Sequence, residues 1–253
     1  MIDSHAHVGR EEFDADRDLV LDRARAAGVR VVVEAGTDAA SSRAAIELSR
    51  RNPLVRAAVG FHPCDVREER MAEMDVIETL AAEPEVVAIG ETGLDAHWPE
   101  NAPIEVQEEF LRRHVAIAKR LRKPLVLHHR AAGERVAALL EREGPPEAGG
   151  TFHCFAGDLA LARRVIAMGM KIGVGGSATF KKSPLPAILR EIDLADVVLE
   201  TDSPYLAPTP HRGKRNEPAY LVLVRDHVAP LLGTTPGALE AATDAAATTL
   251  FRL

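Results

Sequence analysis

The feature of the chain that most constrains its fold is a regular alternation of short β-branched runs with longer amphipathic segments, repeated from one end to the other. Eight runs are predicted to form strands, at residues 2–7, 30–35, 55–60, 86–90, 124–128, 150–153, 171–175 and 196–202. The runs at 31–33 and 125–127 are apolar without alternation, which is typical of parallel strands buried on both faces. The pattern therefore predicts an α/β protein built as a (β/α)8 TIM barrel.

Length and composition agree with one domain and narrow the class of protein. The chain has 253 residues, close to the ~250 of many single barrels, and no linker divides it, so residues 1–253 are predicted to form one domain. No apolar run approaches the ~18–20 residues of a membrane helix, and the first residues lack a signal-peptide pattern. Two cysteines do not make a disulfide framework, so a cytoplasmic location is expected. Few long apolar surface stretches are visible, so a monomer is expected. The formal charge of −7 argues against a broad basic surface for duplex DNA.

The histidines and acids that can carry chemistry cluster at the predicted strand ends. In a (β/α)8 barrel the carboxyl ends of all strands form one rim, and that rim holds the active sites of such enzymes. Residues far apart in sequence are therefore expected to converge there, namely His5, His7, His62, Glu91, His128, His153 and Asp202.

Strand alternation indicates which of these side chains point into the barrel mouth. His5 and His7 are two residues apart, so both imidazoles lie on one face and can bind the same divalent ion. Only one of the neighbouring residues His128 and His129 can point inward, and we choose His128. The same reasoning favours His153 over the cysteine that follows it.

Two carboxylates complete the predicted centre. Glu91 can bridge two cations, which a neutral imidazole cannot do. One ion would then be held by His5, His7, Glu91 and Asp202, and the other by Glu91, His128 and His153. Asp202 is also the predicted general base for a hydroxide that bridges the two metals. Asp95 has two open interpretations, as a turn-stabilising residue or as a residue that contacts a metal ligand.

Local basic residues predict a phosphate site beside this centre, although the chain as a whole is acidic. TIM-barrel enzymes often bind phosphate in the loops after strands seven and eight, and both of these loops are basic here. Arg130 follows the fifth strand and His62 follows the third, where each can reach an anionic substrate. The candidate phosphate-binding residues are His62, Arg130, Lys181, Arg212, Lys214 and Arg215.

Seven segments together resemble the TatD-type metal-dependent deoxyribonucleases over essentially the whole chain. In chain order they are DSHAH at 3–7, GFHP at 60–63, GETGLD at 90–95, PLVLHHR at 124–130, FHCFAG at 152–157, ETDSP at 200–204 and RGKRNEP at 212–218. The resemblance implies an amidohydrolase-like TIM barrel with a two-metal site, whose ligands fall on His5, His7, Glu91, His128, His153 and Asp202. It also implies hydrolysis of phosphodiester bonds, often as 3′→5′ exonuclease activity on single-stranded DNA.

Two other classes of function compete with this interpretation. Amidohydrolases that cleave C–N, carboxylic ester or lactone bonds also open with His-x-His, but many binuclear members bridge their metals with a carboxylated lysine where this chain has Glu91. A barrel that binds metals only for structure or for a partner would not need the complete ligand set with Asp202. The preferred substrate is therefore a DNA strand end or a small phosphoester.

The predicted cofactors are two divalent metal ions. Zinc, manganese, nickel and iron suit imidazole-rich ligation, whereas the family that the chain resembles is commonly described as supported by magnesium. The identity of the ions therefore stays open at this point. Because a strand end offers few phosphates, we expect the affinity for DNA to depend only weakly on salt.

Overall fold

The computed structural model describes residues 1–253, and its eight strands form one parallel sheet. The strands are β1 Ile2–Ala6, β2 Val31–Ala35, β3 Val55–Val59, β4 Val86–Gly93, β5 Leu125–His128, β6 Gly150–Phe152, β7 Met170–Val174 and β8 Val197–Leu199. The helices are α1 Arg17–Ala26, α2 Ala39–Arg51, α3 Met74–Ala81, α4 Ile104–Leu121, α5 Gly133–Glu143, α6 Leu159–Ala167, α7 Leu185–Leu189, α8 Leu221–Leu231 and α9 Pro236–Phe251. Neighbours in the sheet are neighbours in sequence from β1 to β8, which confirms the predicted (β/α)8 TIM barrel.

Hydrogen bonds between β1 and the segment after β8 bring the two ends of the sheet together. The backbone N–H of Asp202 donates to the carbonyl of His5 at 2.9 Å. The side-chain carboxylate of Asp3 accepts from the backbone N–H of Thr201 at 2.9 Å and from its hydroxyl at 2.6 Å. Residues of β1 and residues after β8 therefore face the same barrel mouth.

Apolar residues fill two layers, one outside the barrel wall and one inside it. A cluster of 55 buried residues lies between the strands and the helices, and it includes Leu125 and Leu127 of β5. The residue between them, Val126, belongs instead to an interior cluster of 11 buried residues that also contains Val198 of β8. Because strand residues alternate, the next inward position on β5 is His128, at the carboxyl end of the strand.

Helix α9 closes the amino end of the barrel. It contributes four residues to the interior cluster, namely Ala246, Ala247, Leu250 and Phe251. The start of the chain is held at the same end, because the Met1 ammonium lies 3.2 Å from Glu240 and the N–H of Ile2 donates to Asp244 at 2.7 Å.

The largest differences from the predicted strand bounds are in β8, which ends three residues early, and in β4, which extends three residues further. Strand β8 covers Val197–Leu199, and Asp202, the last residue of the predicted run, has a φ of 56°, outside the strand region. Strand β4 continues through Glu91 to Gly93, where a Cβ would lie 1.9 Å from the carbonyl oxygen of His128. Glycine at this position therefore allows the ends of β4 and β5 to approach each other.

Helix α4 supports the outside of the barrel through a buried histidine. The Nδ1 of His114 donates to the carbonyl of Phe110 at 2.7 Å, and its Nε2 accepts from the backbone N–H of Phe61 at 3.0 Å. Burial lowers the pKa of this imidazole from 6.5 to about 4, so it is neutral.

Among all the helices, none combines the length and the apolar composition that crossing a membrane requires.

Candidate metal centre

The carboxyl ends of the strands bring seven ionisable side chains together. This rim cluster consists of His5, His7, His62, Glu91, His128, His153 and Asp202. Within it, three sets of ligand atoms lie within 4.8 Å of one another, which are His5 with His153 and Asp202, His5 with His7 and Glu91, and His62 with Glu91 and His128. Each set is close enough to hold a metal ion.

The Oε2 atom of Glu91 faces the histidines of β1. It lies 3.4 Å from Nε2 of His5 and 3.2 Å from Nε2 of His7. The two imidazole nitrogens are themselves 3.1 Å apart. The Oδ1 atom of Asp202 completes this half of the rim cluster, at 3.5 Å from His5 and 3.6 Å from His7. One carboxylate oxygen of Glu91 therefore shares a small space with two imidazoles and a second acid.

The Oε1 atom of Glu91 faces a second set of histidines. It lies 2.8 Å from Nε2 of His153, 3.0 Å from Nδ1 of His128 and 3.3 Å from Nε2 of His62. Glu91 is buried to 2% exposure, so both of its oxygens are directed into the protein rather than into solvent. Its two oxygens thus separate the rim cluster into two groups of donor atoms.

The hydrogen bonds of two histidines determine which ring nitrogen has a free lone pair. The Nδ1 of His7 lies 2.9 Å from the carbonyl oxygen of Ala35, which can only accept, so Nδ1 carries the proton. In His128, Nε2 lies 3.0 Å from Oδ2 of Asp95 and donates to that carboxylate. The lone pairs of the neutral rings are therefore on Nε2 of His7 and Nδ1 of His128, the atoms that face Glu91.

His62 has the opposite arrangement. Its Nδ1 accepts from the backbone N–H of Cys64 at 3.1 Å, so in the neutral ring the proton is on Nε2. This Nε2 faces Glu91 and lies 3.2 Å from Nδ1 of His128. The structure thus places His62 in the rim cluster, with its hydrogen-bond donor directed at Glu91.

Asp95 makes contacts of both kinds that the sequence left open, one to a backbone N–H of its turn and one to His128, a predicted metal ligand. Its Oδ1 accepts from the backbone N–H of His97 at 2.8 Å, as a turn-stabilising aspartate does. Its Oδ2 orients the ring of His128. Burial acts to raise the pKa of Asp95, but the hydrogen bonds from His128 and from the backbone N–H of His97 together lower it to about 2.

The ionisation of the rim cluster follows from burial and from mutual attraction. Burial alone would raise the pKa of Glu91, but the surrounding imidazoles lower it well below its usual range. Burial would lower the pKa of His128, but Asp95 and Glu91 raise it to about 9. For His153, burial and the neighbouring His5 lower the pKa to about 4. The acids are therefore ionised. The protons that balance their charge are on imidazoles with a raised pKa, such as His128, and not on His153.

The donor set of the rim cluster fits divalent metal ions. Glu91 and Asp202 form ion pairs only with imidazoles, and no lysine or arginine approaches them within 4.0 Å. Two buried carboxylates without a permanent cation need positive charge from imidazole protons or from bound metals. Carboxylate and neutral imidazole are ligands that zinc, manganese, iron and nickel accept.

Two neighbours of the rim cluster support it from outside. Glu200 accepts a hydrogen bond from the backbone N–H of Cys154, and its Oε1 lies 3.9 Å from Nδ1 of His153. His129 points away from the mouth and packs against Phe152, with ring centroids 5.1 Å apart. Alternation along β5 therefore separates His128 from His129, as the sequence indicates.

The candidate phosphate-binding cations are further out on the loops. The guanidinium of Arg212 lies 4.4 Å from the ring centroid of Phe180, and that of Arg130 lies 5.0 Å from Trp98. Lys181 and Lys214 have exposed side chains and also make no hydrogen bond to the rim cluster. Arg215 forms an ion pair away from the rim cluster, because its Nη1 and Nη2 donate to the carboxylate of Asp16 at 2.9 and 2.8 Å. Its charge is thus largely compensated by that acid.

The fold and the donor set together define a class of protein. A (β/α)8 barrel with carboxylates and imidazoles at the carboxyl ends of its strands is typical of TIM-barrel hydrolases that use metal ions. The family model described as TatD related DNase matches residues 2–252, so the chain belongs to the TatD family. The family resemblance predicted from the sequence motifs is confirmed.

Similar proteins cover the whole chain. It is 37% identical to an "Uncharacterized metal-dependent hydrolase YabD" of Bacillus subtilis (strain 168). The alignment of 254 residues covers 100% of this chain and 99% of the relative. It is 37% identical over 259 residues to a "3'-5' ssDNA/RNA exonuclease TatD" of Salmonella typhimurium, spanning 100% and 99%. The crystal structure of the TatD homologue YJJV of Escherichia coli K12 has a TM-score of 0.93 and 29% identity, covering 100% of this chain and 98% of the other. The chain is accordingly a metal-dependent hydrolase that acts on ester bonds, as predicted.

Proposed function

We propose that this protein is a divalent-metal-dependent phosphodiesterase that removes nucleotides from the 3′ end of single-stranded DNA. The observation that carries the proposal is the division of the Glu91 carboxylate between two groups of donor atoms. A carboxylate in that position can bridge two metal ions, and two-metal sites are common in nucleases. One relative is named as a 3′→5′ exonuclease of single-stranded DNA and RNA, which supports this choice of substrate.

The proposed ligands follow from the two halves of the rim cluster. One ion would be held by His5, His7, Glu91 and Asp202, and the other by Glu91, His128 and His153. The lone pairs of Nε2 in His7 and Nδ1 in His128 support these assignments, because their opposite nitrogens are occupied as donors. Two such ions, when bound, lower the pKa of water and neutralise charge on the phosphodiester.

Asp202 is the proposed general base. Burial acts to raise its pKa, but His5, His153 and His7 lower it, so the carboxylate is ionised and can accept a proton. Its side chain retains 13% exposure, against 2% for Glu91, the other acid of the rim cluster, and so is the more accessible of the two. Asp202 would take the proton of the attacking water at a carboxylate oxygen.

His62 is the proposed hydrogen-bond donor to the substrate. Since its Nδ1 accepts from Cys64, the Nε2–H can donate to a phosphoryl oxygen that approaches the cluster. Arg130, Arg212, Lys181 and Lys214 supply longer-range attraction from the surrounding loops. Because Arg215 is paired with Asp16, we assign it a smaller share of that attraction than the sequence indicates.

The experiment that tests the proposal measures metal content and cleavage on the same sample. Protein purified without added metal is subjected to elemental analysis, stripped with a chelator and reloaded with each candidate ion. We expect stepwise loss of nucleotides from the 3′ end of a 5′-labelled single-stranded oligonucleotide, and no cleavage after stripping. Turnover of amides or lactones without any cleavage of phosphodiesters would overturn the proposal in favour of an amidohydrolase.

The role of Asp202 is tested by Asp202→Asn. The amide is isosteric but cannot accept the proton, so we expect kcat to fall ~10²-fold or more with the barrel still folded. Asp226→Asn, which makes the same charge change on the exposed part of α8, is the control and should keep the wild-type kcat. A kcat near wild type in Asp202→Asn would show that another group is the base.

A further inference from the structure

Two exposed aromatic side chains lie at the barrel mouth and take no part in the proposed metal centre. Trp98 and Tyr205 each have 43% of their surface exposed, and the other exposed large apolar side chains are Leu19 and Leu206. Trp98 is the only tryptophan of the chain. An aromatic ring exposed beside a cluster of ionisable residues offers a flat surface on which a planar ligand can stack.

Tyr205 lies on the β1 side of the rim cluster. Its backbone N–H donates to the carbonyl of Asp202 at 2.8 Å, and its ring centroid is 6.2 Å from that of His7. The guanidinium of Arg10, from the loop after β1, lies 5.7 Å from the centre of the tyrosine ring. An aromatic surface and a cation thus occur together next to the proposed ligands.

Trp98 repeats this arrangement in the loop after β4. Its backbone N–H contacts Oδ1 of Asp95 at 3.4 Å, and Asp95 in turn contacts His128 of the rim cluster. The guanidinium of Arg130 lies 5.0 Å from the tryptophan ring centre, and the Arg130 carbonyl accepts from Ala96 at 3.0 Å. The loops after β4 and β5 therefore hold this aromatic–arginine pair together.

The two pairs lie on opposite sides of the metal centre. Strands β4 and β8 are four positions apart in a barrel of eight strands, which places the loops that follow them across the mouth from each other. A chain of nucleotides that crosses the mouth would therefore meet one aromatic ring on each side, with the rim cluster between them.

We propose that Trp98 and Tyr205 are two stacking sites for nucleobases of a single strand, and that Arg130 and Arg10 contact the phosphates next to those bases. The inference rests on the proposed function in taking a nucleic acid as the substrate. Aromatic rings stack with every base, and the arginines add attraction for the backbone, so the two sites bind without sequence preference. In a duplex the base faces are already stacked on each other, so these sites select single strands.

The unique tryptophan allows binding to be measured without turnover. Metal-loaded protein is titrated with single-stranded oligothymidylate carrying phosphorothioate linkages, which slow cleavage, and with an abasic strand of the same length and linkage. Stacking on Trp98 is expected to quench its fluorescence with oligothymidylate and not with the abasic strand. Equal quenching by both strands, or none by either, would overturn the stacking site at Trp98.

Variants test both sites by the preference for strands that contain bases. We expect Trp98→Ala and Tyr205→Ala each to reduce the ratio of kcat/KM on a normal strand to that on an abasic strand by about five- to 150-fold, mainly through KM. Trp98→Phe and Tyr205→Phe keep an aromatic ring and should restore most of the ratio. Leu19→Ala, an exposed apolar residue on α1, is the control and should keep the wild-type ratio.

The outcomes separate this inference from the proposed function. If wild-type protein cleaves both strands with the same kcat/KM, the stacking sites are wrong and the phosphodiesterase stands. If it cleaves neither strand with any metal, the proposed function is wrong, whatever the fluorescence shows. An unchanged ratio in both alanine variants would also overturn the stacking sites.

Discussion

The two ends of the barrel both carry charged residues, but they balance those charges differently. At the amino end, both acids of α9 have a cation as partner, since Arg225 lies 2.6 Å from Glu240 and Arg30 lies 3.1 Å from Asp244. At the carboxyl end, Glu91 and Asp202 are buried and face only imidazoles. The acids at the amino end are thus neutralised by cations of the same chain, whereas those at the carboxyl end are neutralised by imidazole protons or by bound metal ions.

Stability and function are therefore located at different ends of the barrel. Interior apolar residues and α9 pack together at the amino end, so changes there should affect folding and leave metal affinity intact. Changes at the carboxyl end should affect metal binding and pH dependence more than packing. Three predictions follow from this division, each with a control on the same molecule.

The largest effect is expected from Phe251→Ala at the amino end. Phe251 is 2% exposed and packs in the interior cluster, so its truncation leaves a cavity and should lower the free energy of unfolding by roughly 3–5 kcal/mol. Denaturant unfolding of the metal-free protein measures this change. Thr249→Ala, an exposed position on the same helix, should change stability by less than about 0.5 kcal/mol. If Phe251→Ala instead weakened metal binding in the folded protein, the separation between the two ends would be wrong.

The pH dependence of stability should come partly from His114, beneath the carboxyl end. Its folded-state pKa is lowered to about 4, whereas the unfolded chain takes up the proton near 6.5. Its contribution is therefore complete above pH 6.5 and is lost as the pH falls to about 4, by roughly 3 kcal/mol. In His114→Gln we expect unfolding free energies to vary less with pH across this window. His227→Gln, at an exposed histidine of α8, should retain the wild-type slope, and an equal slope in both variants would contradict the assignment.

The smallest effect is expected from Asp95→Asn at the carboxyl end. The amide does not hold the proton on Nε2 of His128 as a carboxylate does, so Nδ1 is less often free to bind a metal. We expect metal affinity, measured by competition with a chelator, to fall about 10- to 100-fold, with the far-ultraviolet circular dichroism spectrum unchanged. Asp226→Asn should keep the wild-type affinity. Unchanged affinity in Asp95→Asn would leave Asp95 only its turn-stabilising role.

Much of the fold and of the candidate site could be predicted because strand geometry is local. The two-residue period of a strand separates His128 from His129 and aligns His5 with His7, whatever the rest of the chain does. The carboxyl ends of parallel strands meet at one rim, so the convergence of distant acids and histidines also follows from the strand pattern. The bounds of the strands were less predictable, since β8 ends at Leu199 and Asp202 has a φ outside the strand region.

Electrostatic partners could not be predicted, because they join residues that are distant in sequence. Arg215 is one of several basic residues in its loop, and nothing in its neighbourhood indicates that Asp16 binds it. The proton position in His62 depends on a backbone N–H of the turn that follows, and that in His128 depends on a carboxylate from the loop after β4. These bonds exist only once the loops are folded around the mouth.

Periodicity and motif spacing are properties of the linear chain, so the barrel, the strand ends that carry ionisable residues and the membership of the TatD family followed from the residues alone. The folded structure was needed to show that the two oxygens of Glu91 face different histidines, that His62 is a donor, and that Trp98 and Tyr205 flank the mouth. Such features depend on distances of a few ångströms between separate strands and loops, which the linear order of residues does not specify.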